Sequence, residues 1–219
     1  MLNTAKSRPV CALLITLLLS ACAQQAKIEP SQSVTELLAQ CCWQIRAKVG
    51  ITQLVKGKPG KKQSAMLNWQ QQDDEFTIRL NGPFGLGAVK LSGNNKEAVL
   101  QQSGRDPMIA ASADVLLARA AGITTPLNDL RYWIKGQPAP SKSKNHRYDE
   151  LGNHLLGFDQ HGWRIELDRH RQFGAFSLPA RIKIRSLDAQ RGIGNQQLTV
   201  LVSRWSFSAS KRQIDELGQ

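Results

Sequence analysis

Four stretches of this chain alternate apolar and polar residues with a period of two, and that alternation restricts the fold more than any other feature. Ile45, Ala47, Val49 and Ile51 alternate with Gln44, Arg46 and Lys48, and Phe76, Ile78 and Leu80 with Thr77, Arg79 and Asn81. Trp163, Ile165 and Leu167 alternate with Arg164, Glu166 and Asp168, and Ile182 and Ile184 with Arg181, Lys183 and Arg185. Successive side chains of a strand face opposite ways, so each stretch predicts a half-buried antiparallel strand, apolar on one face only. Weaker candidates lie at 64–71, 87–92, 97–102, 154–159 and 196–206. About ten such strands must close their apolar faces around something. A single strongly curved sheet with helices across its concave side satisfies that demand. A two-sheet sandwich also satisfies it, but leaves a pair of helices unexplained.

Those helices have clear boundary signals. Ser112 as N-cap, Asp114 in the first turn and Gly122 past the end predict a helix over 113–121. Pro126 and Gly136 bracket a second over 126–135, proline inside the start and glycine beyond the stop. Val115, Leu116 and Ala120 form the apolar stripe of the first; Leu127, Leu130 and Ile134, with Trp133 alongside, form that of the second. Val34, Leu37 and Leu38 after Ser33 predict a short leading helix. No internal repeat or second domain boundary is visible.

The N-terminus carries a different message. Lys6 and Arg8 precede an apolar stretch from Val10 to Leu19, too short to span a bilayer, and Leu19-Ser20-Ala21-Cys22 follows. Small residues directly before a cysteine predict a bacterial lipoprotein signal, with Cys22 the lipid attachment point and first mature residue. Residues 1–21 are then the signal, 22–32 a polar tether, 33–206 the folded domain and 207–219 a tail. The 198 residues left from 219 suffice for one large domain. With Cys11 removed and Cys22 acylated, only the adjacent Cys41 and Cys42 remain. Neighbouring residues do not easily meet bridge geometry, so two thiols or a strained vicinal bridge are expected, and no disulfide scaffold.

The net charge of +12 falls to +10 when Lys6 and Arg8 leave. For an exported protein such a surface points to anionic lipid headgroups rather than nucleic acid. Lys56, Lys58, Lys61 and Lys62, and again Lys142 and Lys144, sit in Gly/Pro/Ser-rich stretches that read as loops, with no interleaved aromatics of a nucleic-acid groove. They serve headgroups or simply stay solvated. Signals of covalent chemistry are thin. His146, His154, His161 and His170 lack metal-pair spacing, and neither Gly-x-Ser-x-Gly nor a phosphate-loop motif occurs. Asp73, Asp74 and Glu75 fall between predicted strands and read as a turn. No enzyme, metal or cofactor is expected, beyond the acyl group on Cys22.

One turn breaks the usual rule. Asn81-Gly82-Pro83-Phe84-Gly85-Leu86-Gly87 demands a tight reversal, yet carries Phe84 and Leu86 where polar residues belong. Either these side chains meet a membrane or Phe84 folds back to plug the sheet.

Taken together the chain resembles the LolB family of outer-membrane lipoprotein receptors. The resemblance rests on the lipobox, Asn68-Trp69-Gln70-Gln71, Gly82-Pro83-Phe84-Gly85, and Gly122-x-x-x-Pro126-Leu127-x-x-Leu130-x-x-Trp133-Ile134-x-Gly136-x-Pro138. Gly162-Trp163, Leu178-Pro179-Ala180-Arg181 and Trp205 follow in order, so the match runs from about Trp43 to Trp205. It implies an incomplete antiparallel barrel of about eleven strands (mainly β, α+β) with a helical lid over an apolar cavity. It implies a role as well: accepting triacylated lipoproteins from a LolA-like periplasmic carrier and inserting them into the inner leaflet of the outer membrane, as a monomer. In that family a leucine at the tip of the glycine-proline loop serves membrane delivery, and Phe84 stands at that place, with Leu86 beside it. Ala47-Lys48 replaces the family's Gly-Arg. Ala23 after the lipidated cysteine is compatible with outer-membrane sorting. Trp69, Phe76, Leu127, Leu130 and Trp133 are the expected cavity lining, although each could equally be ordinary core. The rival readings are an acylated structural or assembly lipoprotein with a filled β-domain that binds a protein partner, and a lipid-processing enzyme whose catalytic site is dispersed along the chain.

Overall fold

The computed structural model describes residues 36–37, 41–55, 58–82, 87–187 and 196–208, all within the compact unit Ser31–Gln219. The signal, Cys22, the tether, Lys56, Phe84, Leu86 and residues 209–219 lie outside the described residues.

Among the described residues eleven strands form one antiparallel sheet: β1 (Cys42–Val55), β2 (Lys58–Gln72), β3 (Glu75–Asn81), β4 (Ala88–Gly93), β5 (Ala98–Gln102), β6 (Met108–Ala110), β7 (Lys144–Tyr148), β8 (Leu155–Gln160), β9 (Trp163–Phe173), β10 (Phe176–Ser186) and β11 (Gln196–Ser208). Their order is β6-β5-β4-β3-β2-β1-β11-β10-β9-β8-β7. Every pairing is between sequence neighbours except β1 with β11, which joins the two ends of the domain. The sheet curves but does not close, so β6 and β7 are its free edges. Between those edges in sequence lie α1 (Ala113–Ala121) and α2 (Leu127–Trp133). The sandwich alternative is therefore excluded: one curved sheet with a helix pair is what forms.

The alternation in β1 places Trp43, Ile45, Ala47, Val49 and Ile51 inward, all of them buried. Residues facing the same way on neighbouring strands complete the core, with Trp69, Ile78, Leu91, Ile165, Ile182 and Val200 among the most buried. β11 was a weaker candidate for a local reason. Leu198, Val200 and Val202 face inward and then the phase slips to Trp205, because the pairing with β1 shifts beside Arg46. Ser203 Oγ donates to the Arg46 carbonyl at 2.9 Å, and Arg171 donates to the carbonyls of Val202 (3.0 Å) and Ser203 (3.2 Å), so the bulge is fixed by side chains.

The loop assignment of the lysine runs is corrected for Lys58, Lys61, Lys62 and Lys144, while Lys142 does lie in a loop. Lys58, Lys61 and Lys62 belong to β2, which pairs with the end of β1 in a long hairpin, and Lys144 opens β7. Strand pairing overrides the Gly/Pro signal there, because the backbone ladder with β1 does not depend on what these side chains bury. β7 is exposed at all five residues, so it offers no alternation to read. Its anchor is Asp159 on β8. That carboxylate accepts from Asn145 Nδ2 at 2.7 Å and from Arg164 Nε and Nη2 at 2.9 and 3.1 Å.

α1 occupies the span its caps predict. Ser112 Oγ accepts from the Val115 N–H at 3.4 Å, and Gly122 adopts a left-handed conformation at φ 63°. α2 is shorter than predicted: Pro126 stands just outside as N-cap, Ile134 is the C-cap, and Gly136 at φ 79° ends the segment.

Candidate functional site: an apolar cavity beneath two helices

The four central strands β3, β2, β1 and β11 are contiguous in the sheet, and their inward residues form the floor of a cavity. Ile78 and Leu80 come from β3, Leu67 and Trp69 from β2, Val49 and Ile51 from β1, and Leu198 and Val200 from β11. Leu117 of α1, Ile123 of the connection, and Leu127 and Leu130 of α2 make the roof. All twelve lining side chains are hydrocarbon or aromatic. Ala47 and Ala65 also face inward, which reduces bulk on the floor. The free space is about 60 Å³, room for only a few water-sized groups.

Strand register locates the cavity along the barrel. Its floor residues cluster toward the end where β3 turns back into β4, the end from which the Gly82–Gly87 connection leaves. The opposite end is filled by aromatics. Trp43 packs on Trp69 and Trp205 with ring centroids 5.2 and 5.4 Å apart, and Phe207 stacks on Trp205 at 5.3 Å. Lys135 lies there too. Its Nζ donates to the Leu37 carbonyl at 3.3 Å and sits 5.8 Å from the Trp43 ring, and burial pulls its pKa down to about 8.

The roof is tied down at several points. Asp114 on α1 accepts from the Leu127 N–H at 2.8 Å, which links the two helices, and burial raises its carboxyl above the usual range. Gln196 on β11 donates to the Gly122 carbonyl and holds the end of α1. On α2, Asp129 meets His161 at 2.5 Å, Arg131 meets Asp74 at 3.7 Å, and Trp133 Nε1 donates to Gln160 Oε1 at 2.8 Å. Gln160 also bonds Ala139 N and O, which anchors the chain as it leaves the helix. Beyond it Gly136 rests against Pro179, so two of the motifs noted in the sequence meet in space.

Of the expected lining residues, Trp69, Leu127 and Leu130 surround the cavity. Trp133 is fully buried but turned to Gln160, and Phe76 stands at the far end of β3 beside Gln70 and Gln72 in a polar groove. Phe84 and Leu86 fall outside the described residues, as does Cys22. Gly82, at φ 149°, begins the loop against Ala65, whose Cα would lie 2.9 Å from any added Cβ. Glycine there serves both the turn and the close approach to β2.

A hydrogen-bonded run of Ser177, His154 and Asp149 was not visible in the sequence. His154 Nε2 lies 3.0 Å from Ser177 Oγ, and Nδ1 lies 2.9 Å from Asp149 Oδ2. Asp149 also accepts from the Asn153 and His154 N–H groups, so the run fixes a tight turn, and it shares no residue with the cavity lining. The three residues are five and twenty-three positions apart, which no motif search would join.

An unclosed eleven-stranded half-barrel with two helices over an apolar interior defines a fold class. A solved LolA superfamily protein from Nitrosomonas europaea shares it, with a TM-score of 0.51 over 80% of this chain and 90% of its own, at 8% identity. The sequence is more specific than the fold. The family model described as outer membrane lipoprotein LolB matches residues 42–205. The outer-membrane lipoprotein LolB of Ectopseudomonas mendocina is 32% identical over 163 residues, 74% of each chain. That of Cellvibrio japonicus is 32% identical over 204 residues, 90% of this chain and 95% of its own. The chain belongs to the LolB family of outer-membrane lipoproteins.

Proposed function

We propose that this protein is a receptor, anchored through Cys22 in the outer membrane, that takes triacylated lipoproteins from a LolA-like periplasmic carrier and inserts them into the inner leaflet. The observation that carries this reading is the cavity lining, twelve aliphatic or aromatic side chains from seven segments, whose one polar atom, the Trp69 indole nitrogen, is taken up by Gln71. Three acyl chains hold on the order of 45 methylenes, and exposing them would cost roughly 35 kcal/mol as an upper bound. They need a continuous hydrocarbon enclosure between carrier and bilayer. About 60 Å³ is far too little for them, so the state described is the closed one and cargo enters as α1 and α2 lift from the floor. Transfer needs no hydrolysis if this interior holds acyl chains more tightly than the carrier does and the bilayer more tightly still. The lipid anchor keeps the receptor concentrated at its target surface.

Delivery is assigned to Phe84 with Leu86, on the loop that leaves the cavity end of the sheet. Phe84→Glu should leave cargo acceptance intact while liposome insertion drops at least about tenfold, since a carboxylate cannot enter hydrocarbon cheaply. Normal insertion by that variant would remove the wedge from the mechanism.

The central test is transfer of a labelled lipoprotein from purified carrier to receptor bearing a photo-crosslinker at Leu130 in the roof or at Val115, which is 38% exposed. Acyl-chain adducts at position 130 and none at 115 are expected. A receptor that forms a complex but gives no acyl adduct at 130 would instead favour the filled-core assembly lipoprotein.

A further inference from the structure

Cys41 and Cys42 form a site the family reading does not use. On an extended chain, adjacent side chains point to opposite faces. Here the two thiols come to the same side, with Sγ atoms 2.7 Å apart and neither in a disulfide. A third donor comes from a different segment. Asp73, in the turn between β2 and β3, places a carboxylate oxygen within 4.8 Å of both sulfurs.

That turn is fixed from behind. The Asp73 N–H donates to the Cys41 carbonyl at 3.2 Å, Gln71 Nε2 donates to the Asp73 carbonyl at 2.8 Å, and Gln71 Oε1 accepts from Trp69 Nε1 at 3.1 Å. Gln71 is 5% exposed, so the support belongs to the packed interior. A pocket of about 260 Å³ lined by Cys42, Trp43, Gln71 and Phe207 adjoins the pair.

The geometry points to a site for a thiophilic divalent cation of the Zn²⁺ type, held by Cys41 Sγ, Cys42 Sγ and a carboxylate oxygen of Asp73. Two thiolates and one carboxylate form a borderline-soft donor set suited to tetrahedral Zn²⁺, with the fourth position left to water. Sulfurs bound to one such ion at about 2.3 Å lie roughly 3.8 Å apart. Ion binding would therefore widen the pair by about 1.1 Å, a movement that falls to the partly buried Cys41 rather than to Cys42 in the core. The ion would clamp the start of β1 to the β2–β3 turn.

The test uses the full-length, detergent-solubilised protein, reduced and stripped of metal, titrated with Zn²⁺ against a chromophoric chelator and separately with Co²⁺. One equivalent should bind, and Co²⁺ should give thiolate-to-metal charge-transfer absorption. Cys41→Ser and Cys42→Ser should each weaken binding more than about 100-fold, beyond the 10–100-fold of outer-shell losses. Asp73→Asn keeps the turn and should lower affinity about tenfold with the thiolate absorption retained, which separates ligand loss from misfolding. Equal binding by the Cys41→Ser/Cys42→Ser double variant would overturn the site. So would a reduced protein that takes up no metal and reoxidises to a species two hydrogens lighter, for then the pair is a vicinal disulfide instead.

Discussion

At the scale of single residues, the interior separates two demands that a sequence states in the same letters. Val200 is 1% exposed and lines the cavity as any core valine would line a core. In a finished core added volume strains the packing, whereas in an under-filled one it is absorbed. Val200→Leu should therefore raise stability by about 0.5–2 kcal/mol in urea unfolding while lowering lipoprotein acceptance. Gly136 is constrained differently. Its φ of 79° is left-handed, and a Cβ there would stand 3.0 Å from Pro179 Cδ. Gly136→Ala should destabilise by at least about 1–2 kcal/mol from backbone strain alone, read as a lower thermal midpoint.

The same distinction explains what could be read in advance. Strand alternation and the helical stripe tell which face a residue lies on, and on that basis Trp69 and Phe76 from strands and Leu127, Leu130 and Trp133 from the helix are equivalent candidates. Neither tells how far along a strand the helices sit. Phe76 is two residues before Ile78 on the same strand face yet stands beyond the roof, and Trp133 is one turn past Leu130 yet is drawn aside by Gln160. Buried glutamines that accept indole N–H groups carry no period at all.

Among elements, legibility followed burial. β1, β3, β9 and β10 alternate because one face is core and the other water. β6 has three residues and β7 no buried one, so both edges were silent. Short or fully polar edges are also what protects an open sheet from pairing with another chain. What then keeps β7 in place is Asp159. The Arg164 guanidinium, followed by Asn145, holds that carboxyl below the usual range although burial opposes it. A lowered folded-state pKa means the contribution is complete above the unfolded value of about 3.9 and disappears as pH falls through the folded one. Asp159→Asn should cost roughly 1–2 kcal/mol at neutral pH, discounted because Arg164 is 35% exposed. The difference from the parent should hold from pH 7 to 5 and close below pH 4, as followed by urea midpoints.

For the whole molecule, the receptor role proposed above turns on the balance between closed and open states. The roof is held by its buried apolar residues, Leu116, Leu117, Leu127 and Leu130 among them, and by polar ties whose side chains lie outside the cavity lining, so releasing one such tie need not disturb the lining. The bond from Gln196 to the Gly122 carbonyl is a single tie between α1 and the floor strand β11. A hydrogen bond is worth about 0.5–1.5 kcal/mol net, hence roughly two- to tenfold in the open population. Gln196→Ala should raise the initial rate of apolar dye uptake by that factor, with a similar gain in the rate of cargo acceptance. An unchanged rate would place the gating motion elsewhere.

Because the helix segment starts at one margin of the sheet and ends at the other, it is fastened like a cord across the covers of a half-open book. Spreading the covers draws the cord taut, and slackening the cord lets them fold inward. On that connectivity the width of the shell and the height of its roof would vary together. In the receptor proposed above, a bulky guest that forces the margins apart would tighten the very band lying over it, so the grip on a large passenger would be set by how far the sheet can flex.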